Sequence, residues 1–498
     1  MSAERLLAAL AARTPDAVVL RGETDTWRAA DVLDTVAALA MRLSGQRVLA
    51  VLADNSPAWV MADLAALRTG TVHLPLPTFF SPTQMAHVLE QTGTDVLLTD
   101  QPERILALNL GFAAAGQWSG LVWMQRPCPA VPLPVGTAKI SFTSGSTGTP
   151  KGACLSAAGL MATAEGVAAR LGDLPITQHM AVLPLALLLE NTAGVYAPLL
   201  RGAEVHLPAL QTLGWRGMAG FDPAALQQSV MANRPHSLIL VPELLKAWTL
   251  FLTASGQRAP ADLAFVAVGG ARVDPALLAR ARALGIPAYQ GYGLTECGSV
   301  VCINRPGDDG PGVGRPLPHV RLRIEDKEVR IASPAFLGYV GYVGDTASSQ
   351  SAGAEDFATG DLGELDAKGH LLLAGRRKNL LITSFGRNIS PEWVESVLLA
   401  QPAIGQAAVM GDARPWLSAV LVASPGTTPA QLDAAIAQAN SSLPDYARVG
   451  GWIAGPPFTL HNGQATGNSR PLRSAIATHH AAALAALYET KDVPHVVL

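Results

Sequence analysis

The chain reads as an α/β protein: a large amino-terminal domain of mainly parallel, helix-covered sheets, a β-rich subdomain closing it, and a small α+β domain at the carboxyl end. Three observations predict this. From Arg47 onward, short apolar strands alternate with helical runs in RVLAVLA, PAWVMADLAALRTG, TVHLPLP, SPTQMAHVLEQTG and DVLLTD, the rhythm of crossover units in a parallel sheet. The same rhythm returns in HSLILV (236–241), PELLKAWTLFL, LAFVAVGG (263–270), DPALLARARALG and IPAYQG. Between Val313 and Leu373 the texture changes to short alternating segments, HVRLRIED, KEVRIAS and HLLLAG, with Gly- and Asp-rich turns that suit antiparallel strands. After Gly375 come a charged stretch (RRKN), a helix near Pro391 to Ala400, strands in AAVMG and WLSAVLVAS, and a helix near Ala430 to Ala439. The expected division is a large domain over 1–375 and a small one over 376–498.

Composition narrows the partners. A chain of 498 residues, 49% hydrophobic and 15% charged, buries a large core and exceeds one ordinary domain. A net charge of −3 provides no basic field to gather nucleic acid or anionic lipid, so a small molecule is expected. The start, MSAERLLAALAART, lacks the apolar core and cleavage site of a signal peptide. The most apolar stretch, Met180 to Leu200, contains Pro184, Glu190 and Asn191, and reads as a buried strand followed by a helix rather than a membrane span. Four cysteines, Cys128, Cys154, Cys297 and Cys302, show neither metal spacing nor a disulfide framework. Reduced thiols in a cytoplasmic protein are the expectation. The histidines show no HExxH or HxH clustering, and no protein metal centre is expected from them.

The strongest local signal is ISFTSGSTGTPKG (140–152), in which an apolar strand runs into Thr143, Ser144, Gly145, Ser146, Thr147, Gly148, Thr149, Pro150, Lys151 and Gly152. Glycines let a backbone approach a ligand, hydroxyls and amides donate to phosphate oxygens, and the lysine adds charge. The pattern suits a polyphosphate. It is not a Walker A loop, because Lys151 stands between Pro150 and Gly152 rather than between Gly and Ser or Thr. A flexible linker of similar composition would not follow a buried strand and end in Pro-Lys-Gly.

Three further segments follow in order: QGYGLTE (290–296), ATGD (358–361) and GRRKNLLITSFGRNISPEWVE (375–395). With the loop, they make the chain resemble the adenylate-forming (AMP-binding) superfamily from about Trp27 to Arg473, and in motif the long-chain fatty acyl-CoA synthetases above all. The resemblance implies ATP, Mg²⁺ and a carboxylic acid as reactants, with coenzyme A or a carrier-protein phosphopantetheine as acceptor. It implies that Thr143 to Thr149 and Lys151 hold the phosphates, that Gly269, Gly270 and Ala271 wall the adenine and acyl pockets, and that Gly291, Tyr292 and Gly293 lie against adenine. Thr295 would contact the phosphate region, and Glu296 would hold Mg²⁺ as a hard oxygen ligand. Asp361 would accept from both ribose hydroxyls, Arg376 would contact the nucleotide, and Lys378 would be the hinge about which a mobile small domain turns.

Two departures from the family pattern matter. In LPLALLLEN (183–191), Leu187 stands where the long-chain enzymes carry histidine, while Glu190 is retained. No aspartate lies between Val182 and Asn191 to pair with a substrate amine, so an amino acid is disfavoured. In FTLHNGQATGNSRPLRSAI (458–476), the catalytic lysine that the resemblance implies is replaced by Arg470. Arginine keeps the charge with a larger planar head. A unit charge at about 4 Å is worth roughly 4 kcal/mol at an effective dielectric near 20, so retuned rather than abolished adenylation is expected. The reading is acid activation to an acyl-adenylate with release of pyrophosphate, then transfer to a thiol, in fatty acid metabolism. Two alternatives stand beside it: an acyl-AMP donor to a carrier protein or amine, and a weakened nucleotide- or acyl-adenylate-binding protein.

Overall fold

The computed structural model describes residues 2–143, 150–217, 220–308, 310–341, 356–466 and 470–489. Ser144 to Thr149 of the expected phosphate loop, and the side chain of Thr143, lie outside the described residues. The chain divides into two compact units: Met1–Gly270 with Ala281–Arg323 and Arg330–Phe357, and Ala271–Arg280 with Ile324–Val329 and Ala358–Leu498.

The first unit holds two large sheets. In the nine-stranded one, the strands Gln178–Met180, Glu204–His206, Ser237–Leu240, Phe265–Val268 and Ala288–Tyr292 pair in parallel, with antiparallel strands at both edges. In the eight-stranded one, Val48–Leu52 pairs in parallel with Val72–Pro75 and Val96–Thr99, and Val72–Pro75 with Thr137–Thr143. Its outer strands are antiparallel. The helices start where their caps predict. Ser56 and Ser81 cap Pro57–Thr69 and Pro82–Gln91 through their hydroxyls, each with proline in the first turn.

Met180 to Leu200 departs from the expected strand and helix. The strand ends at Met180, an irregular segment follows, and the helix opens as one π-helical turn, Glu190–Tyr196, before Ala197–Leu200. Pro184 cannot continue a ladder. Glu190 is buried, its Oε2 accepting from the Leu183 amide at 2.9 Å and its Oε1 lying 3.0 Å from His179 Nε2, so the chain bends back over it. Among the described residues no helix is long and apolar enough to cross a membrane.

A second buried polar cluster lies nearby. Lys139 on Thr137–Thr143 is fully buried; its Nζ lies 3.0 Å from Asp63 Oδ2 and 2.9 Å from Tyr196 Oη, and also donates to Asn191 Oδ1. Asp63 Oδ2 further accepts from Asn191 Nδ2 at 2.8 Å and Tyr196 Oη at 2.6 Å. His73 Nδ1 lies 2.6 Å from Asp63 Oδ1, at ionic distance but not aligned as a hydrogen bond. Burial alone would raise the Asp63 pKa, but Lys139 and His73 outweigh it and hold the carboxyl well below its ordinary range. Burial depresses His73 and Lys139, and Asp63 opposes both shifts.

Around Val313 to Leu373 the expected short strands appear as Arg321–Glu325, Glu328–Ala332, Phe357–Leu365 and Leu371–Arg376 in one four-stranded sheet. Phe336–Tyr339 leaves that neighbourhood and pairs with Lys151–Ser156 in the eight-stranded sheet. The second unit also holds the sheet Ile404–Met410, Leu417–Ala423 and Val449–Ala454, packed with helices Pro391–Leu399 and Pro429–Ser441. All four cysteines are free thiols.

Removing one partner of a fully buried ion pair leaves a charge without compensation. Lys139→Met is therefore expected to lose about 3–5 kcal/mol of unfolding free energy, read as a lower urea midpoint at unchanged slope.

Candidate active site

In the first unit, the expected nucleotide residues gather at the carboxyl ends of parallel strands, where open α/β sheets bind ligands. Phe265–Val268 ends at Gly269 and Gly270, and Gly270 has φ +90°, a conformation that favours glycine. A Cβ on Gly269 would fall 3.2 Å from Leu189 Cδ2, and one on Gly270 3.6 Å from Val241 Cγ1. This turn therefore faces apolar side chains at close range. Ala271, the third residue of the expected wall, belongs to the second unit.

Ala288–Tyr292 is the next strand; Gly291 and Tyr292 pair with Ile303 and Cys302. At Gly293 the chain crosses its own backbone so closely that a Cβ would lie 1.5 Å from the Ser299 carbonyl oxygen, so only glycine fits. The tight turn delivers Thr295 and Glu296 on one 3₁₀ turn, Thr295–Cys297. That turn packs against the strand Lys151–Ser156, which begins with exposed Lys151.

Glu296 Oε1 accepts from Tyr339 Oη at 2.6 Å. Tyr339 pairs with Ala153, two residues from Lys151. Lys151, Thr295, Glu296 and Tyr339 thus come from elements that touch one another, which brings a cation and a carboxylate into one neighbourhood. A half-buried carboxylate steadied by a phenol suits a hard divalent cation. Sequence reasoning missed Tyr339, because only the return of Phe336–Tyr339 to the distant Lys151–Ser156 strand brings it there.

In the second unit, Asp361 and Arg376 face each other as register partners on Phe357–Leu365 and Leu371–Arg376, with Arg376 Nε 2.7 Å from Asp361 Oδ1. Asp361 is 6% exposed. Its amide donates to Thr359 Oγ1 at 3.1 Å, and the Gly360 amide to Glu328 Oε1 at 2.9 Å, so the turn is anchored on both sides. Each carboxylate oxygen has two acceptor sites, which leaves an ion-paired Asp361 able to accept hydroxyls. Lys378 lies on the 3₁₀ turn Arg377–Asn379, whose neighbour Arg377 pairs with Glu328 at 3.0 Å.

Arg470 lies on one of two short backbone segments that pair with each other. The Thr466 amide donates to the Arg470 carbonyl at 2.8 Å, the Arg470 amide to Thr466 Oγ1 at 3.1 Å, and Ala465 bridges Pro471. Below it, Arg473 Nη2 lies 2.7 Å from Glu395 Oε1, and Arg473 Nε donates to the Val409 carbonyl at 3.1 Å. Burial pushes the Glu395 carboxyl above its ordinary pKa, and Arg473 opposes that shift. This pairing is thus tied to the helix Pro391–Leu399 and the strand Ile404–Met410, with the Arg470 side chain exposed.

Fold and site together define a nucleotide-dependent ligase of two units. A family model described as AMP-binding enzyme matches residues 7–340, and one described as AMP-binding enzyme C-terminal domain matches 378–492. The chain belongs to the AMP-binding enzyme family, and it is an AMP-forming ligase. The long-chain-fatty-acid–CoA ligase FadD15 of Mycobacterium bovis is 26% identical over 86% of this chain and 86% of its own length. The 2-succinylbenzoate–CoA ligase of Salmonella typhimurium is 31% identical over 79% of this chain and 80% of its own. Among solved structures, the amide bond synthetase McbA of Marinactinospora thermotolerans superposes with a TM-score of 0.75 at 23% identity, covering 96% of this chain and 99% of that one, a likeness of fold.

A charge-assisted hydrogen bond contributes about 1.5 kcal/mol, or roughly tenfold in rate. Tyr339→Phe is expected to lower ATP–pyrophosphate exchange by about that factor and to raise the magnesium concentration that half-saturates it.

Proposed function

We propose that the protein activates a carboxylic acid with Mg·ATP, releasing pyrophosphate, and passes the acyl group from the acyl-adenylate to coenzyme A, giving a thioester and AMP. The observation that carries this is the packing of the 3₁₀ turn bearing Thr295 and Glu296, which follows the parallel strand Ala288–Tyr292, against the strand that begins at Lys151, with Tyr339 donating to Glu296, in a chain that matches both AMP-binding models. The substrate carboxylate oxygen attacks the α-phosphorus while the bond to the pyrophosphate oxygen breaks, so no protein nucleophile is needed. Positioning and charge neutralisation do the work.

In this reading Lys151, with Thr143 and the segment 144–149, holds the leaving phosphates; Glu296 holds Mg²⁺, Tyr292 lies against adenine, and Asp361 takes the ribose. Arg376 orients Asp361, to which it is paired. Arg470 supplies the cation that bridges the carboxylate and the α-phosphate, and a turn about Lys378 exchanges it for the thiol.

A fatty acid is the substrate we favour. Leu189 and Val241 supply apolar surface at the Gly269–Gly270 turn, and no acidic residue lies between Val182 and Leu189 to receive an ammonium. The named activities of the relatives, on long-chain fatty acids and on 2-succinylbenzoate, make these two acids the first to compare.

ATP–pyrophosphate exchange over aliphatic, aryl and amino acids tests the reading. Stimulation by aliphatic acids is expected, with Arg470→Ala losing about 100-fold or more and Arg470→Lys retaining activity, since about 3 kcal/mol of transition-state charge stabilisation goes with the cation. No exchange with any acid, together with tight nucleotide binding and activity gained in Arg470→Lys, would point instead to a binding protein.

A further inference from the structure

The strand that leads to the phosphate-binding segment is unusual in having nothing apolar to choose its register. Along Thr137–Thr143, Ala138, Lys139, Ile140, Ser141 and Phe142 are all buried, on alternating faces. Where one face meets solvent, a one-residue slip is forbidden because it exposes the apolar set. Here both faces are covered, and an apolar side chain is tolerated on either. Pairing to the neighbouring parallel strand consists of one register pair, His73 with Lys139. Pairing to Lys151–Ser156 already shifts between Thr137 and Lys139.

Lys139 is the side chain that tells the two faces apart. Its ammonium is met by Asp63 on Pro57–Thr69 and by Asn191 and Tyr196 on the π-helical turn, with His73 beside Asp63. A slip would aim a buried ammonium at apolar packing and strand the Asp63 carboxylate. Four residues beyond Lys139, Thr143 pairs with Lys151, the cation of the candidate site. One residue of slip moves that partner by about 3.4 Å, enough to turn a phosphate contact into a solvent-separated one.

We infer that Asp63 and Lys139 are positioning residues for ATP: their buried ion pair pins the register of Thr137–Thr143, and through its pairing with Lys151–Ser156 it places Lys151. The π-helical turn belongs to the same device, since it supplies Asn191 and Tyr196 and, through Glu190, His179 and Ser237, is anchored to the neighbouring sheet. Neither member of the pair touches substrate. The inference rests on the proposed adenylation, because placing Lys151 matters only if Lys151 holds phosphate.

The test separates register from stability. Replacing a buried ion pair by apolar residues of similar volume is commonly neutral or stabilising, so Asp63→Leu/Lys139→Met is expected to unfold at a urea midpoint near the wild type. Its KM for Mg·ATP in pyrophosphate exchange is expected to rise about tenfold with kcat within about twofold. Tyr196→Phe, which keeps the ring and removes one donor to Asp63, is expected to raise KM about threefold. A folded double variant with wild-type KM, or a Tyr196→Phe variant with unchanged KM, overturns the inference and leaves the pair a packing feature. If the wild type gives no exchange, the proposed activity fails. The positioning role is then decided by calorimetric titration with Mg·ATP: weaker binding by the double variant supports it, and equal binding sinks it.

Discussion

A lysine ammonium with no solvent around it is stable only where carboxylate, amide and hydroxyl oxygens converge on it, and that requirement organises the first unit. Lys139 draws to its own strand a helix that supplies Asp63, the π-helical turn that supplies Asn191 and Tyr196, and a neighbouring strand whose His73 pairs with Asp63. The sheets around the cluster are apolar and, taken alone, permissive. A buried charge is not, because its energy depends on a few ångströms and on direction. The geometry at Lys151, two strand ends away, inherits that intolerance.

A similar use of buried charge recurs in the second unit on a smaller scale. Glu395 on Pro391–Leu399 accepts from the Val409 amide at 2.8 Å and is met by Arg473, so helix, strand and the segment bearing Arg470 share one anchor. Asp361 and Arg376 tie two strands together across a register pair. In both places the anchored backbone bears, or lies within a few residues of, a side chain expected to act on ligand: Asp361 is itself buried, and Arg470 is exposed. Supporting a working residue from a dry, fully bonded neighbour limits the conformational entropy lost on binding.

Arg470, which the motif resemblance sets at the position of the family's lysine, fits this frame. A guanidinium keeps its charge whatever its surroundings and presents a planar fork rather than a point. The hydrogen bonds between Thr466 and Arg470 fix the backbone at that position.

Much of this was legible in the linear chain. Alternation of apolar strands and helical runs predicted the parallel strands from Val48–Leu52 through Ala288–Tyr292, because strand burial leaves a periodicity in sequence. The Gly-Gly-Ala run placed the turn at Gly269–Gly270, whereas the tight crossing at Gly293 emerged only from the folded backbone. The change to short alternating segments announced the four-stranded sheet. Tyr339, Asp63 and the π-helical turn were not legible, for one physical reason: each owes its role to partners 43 to 133 residues away. Sequence states which groups a segment carries and which local shapes they allow, whereas the pairing of Phe336–Tyr339 with Lys151–Ser156 and the meeting of Asp63 with Lys139 arise when whole elements pack. The chain by itself determined the class of fold and the chemistry on offer. Tertiary structure decided which of those groups stand within hydrogen-bond reach, because direction and distance, to which buried charges are most sensitive, exist only once the core has closed.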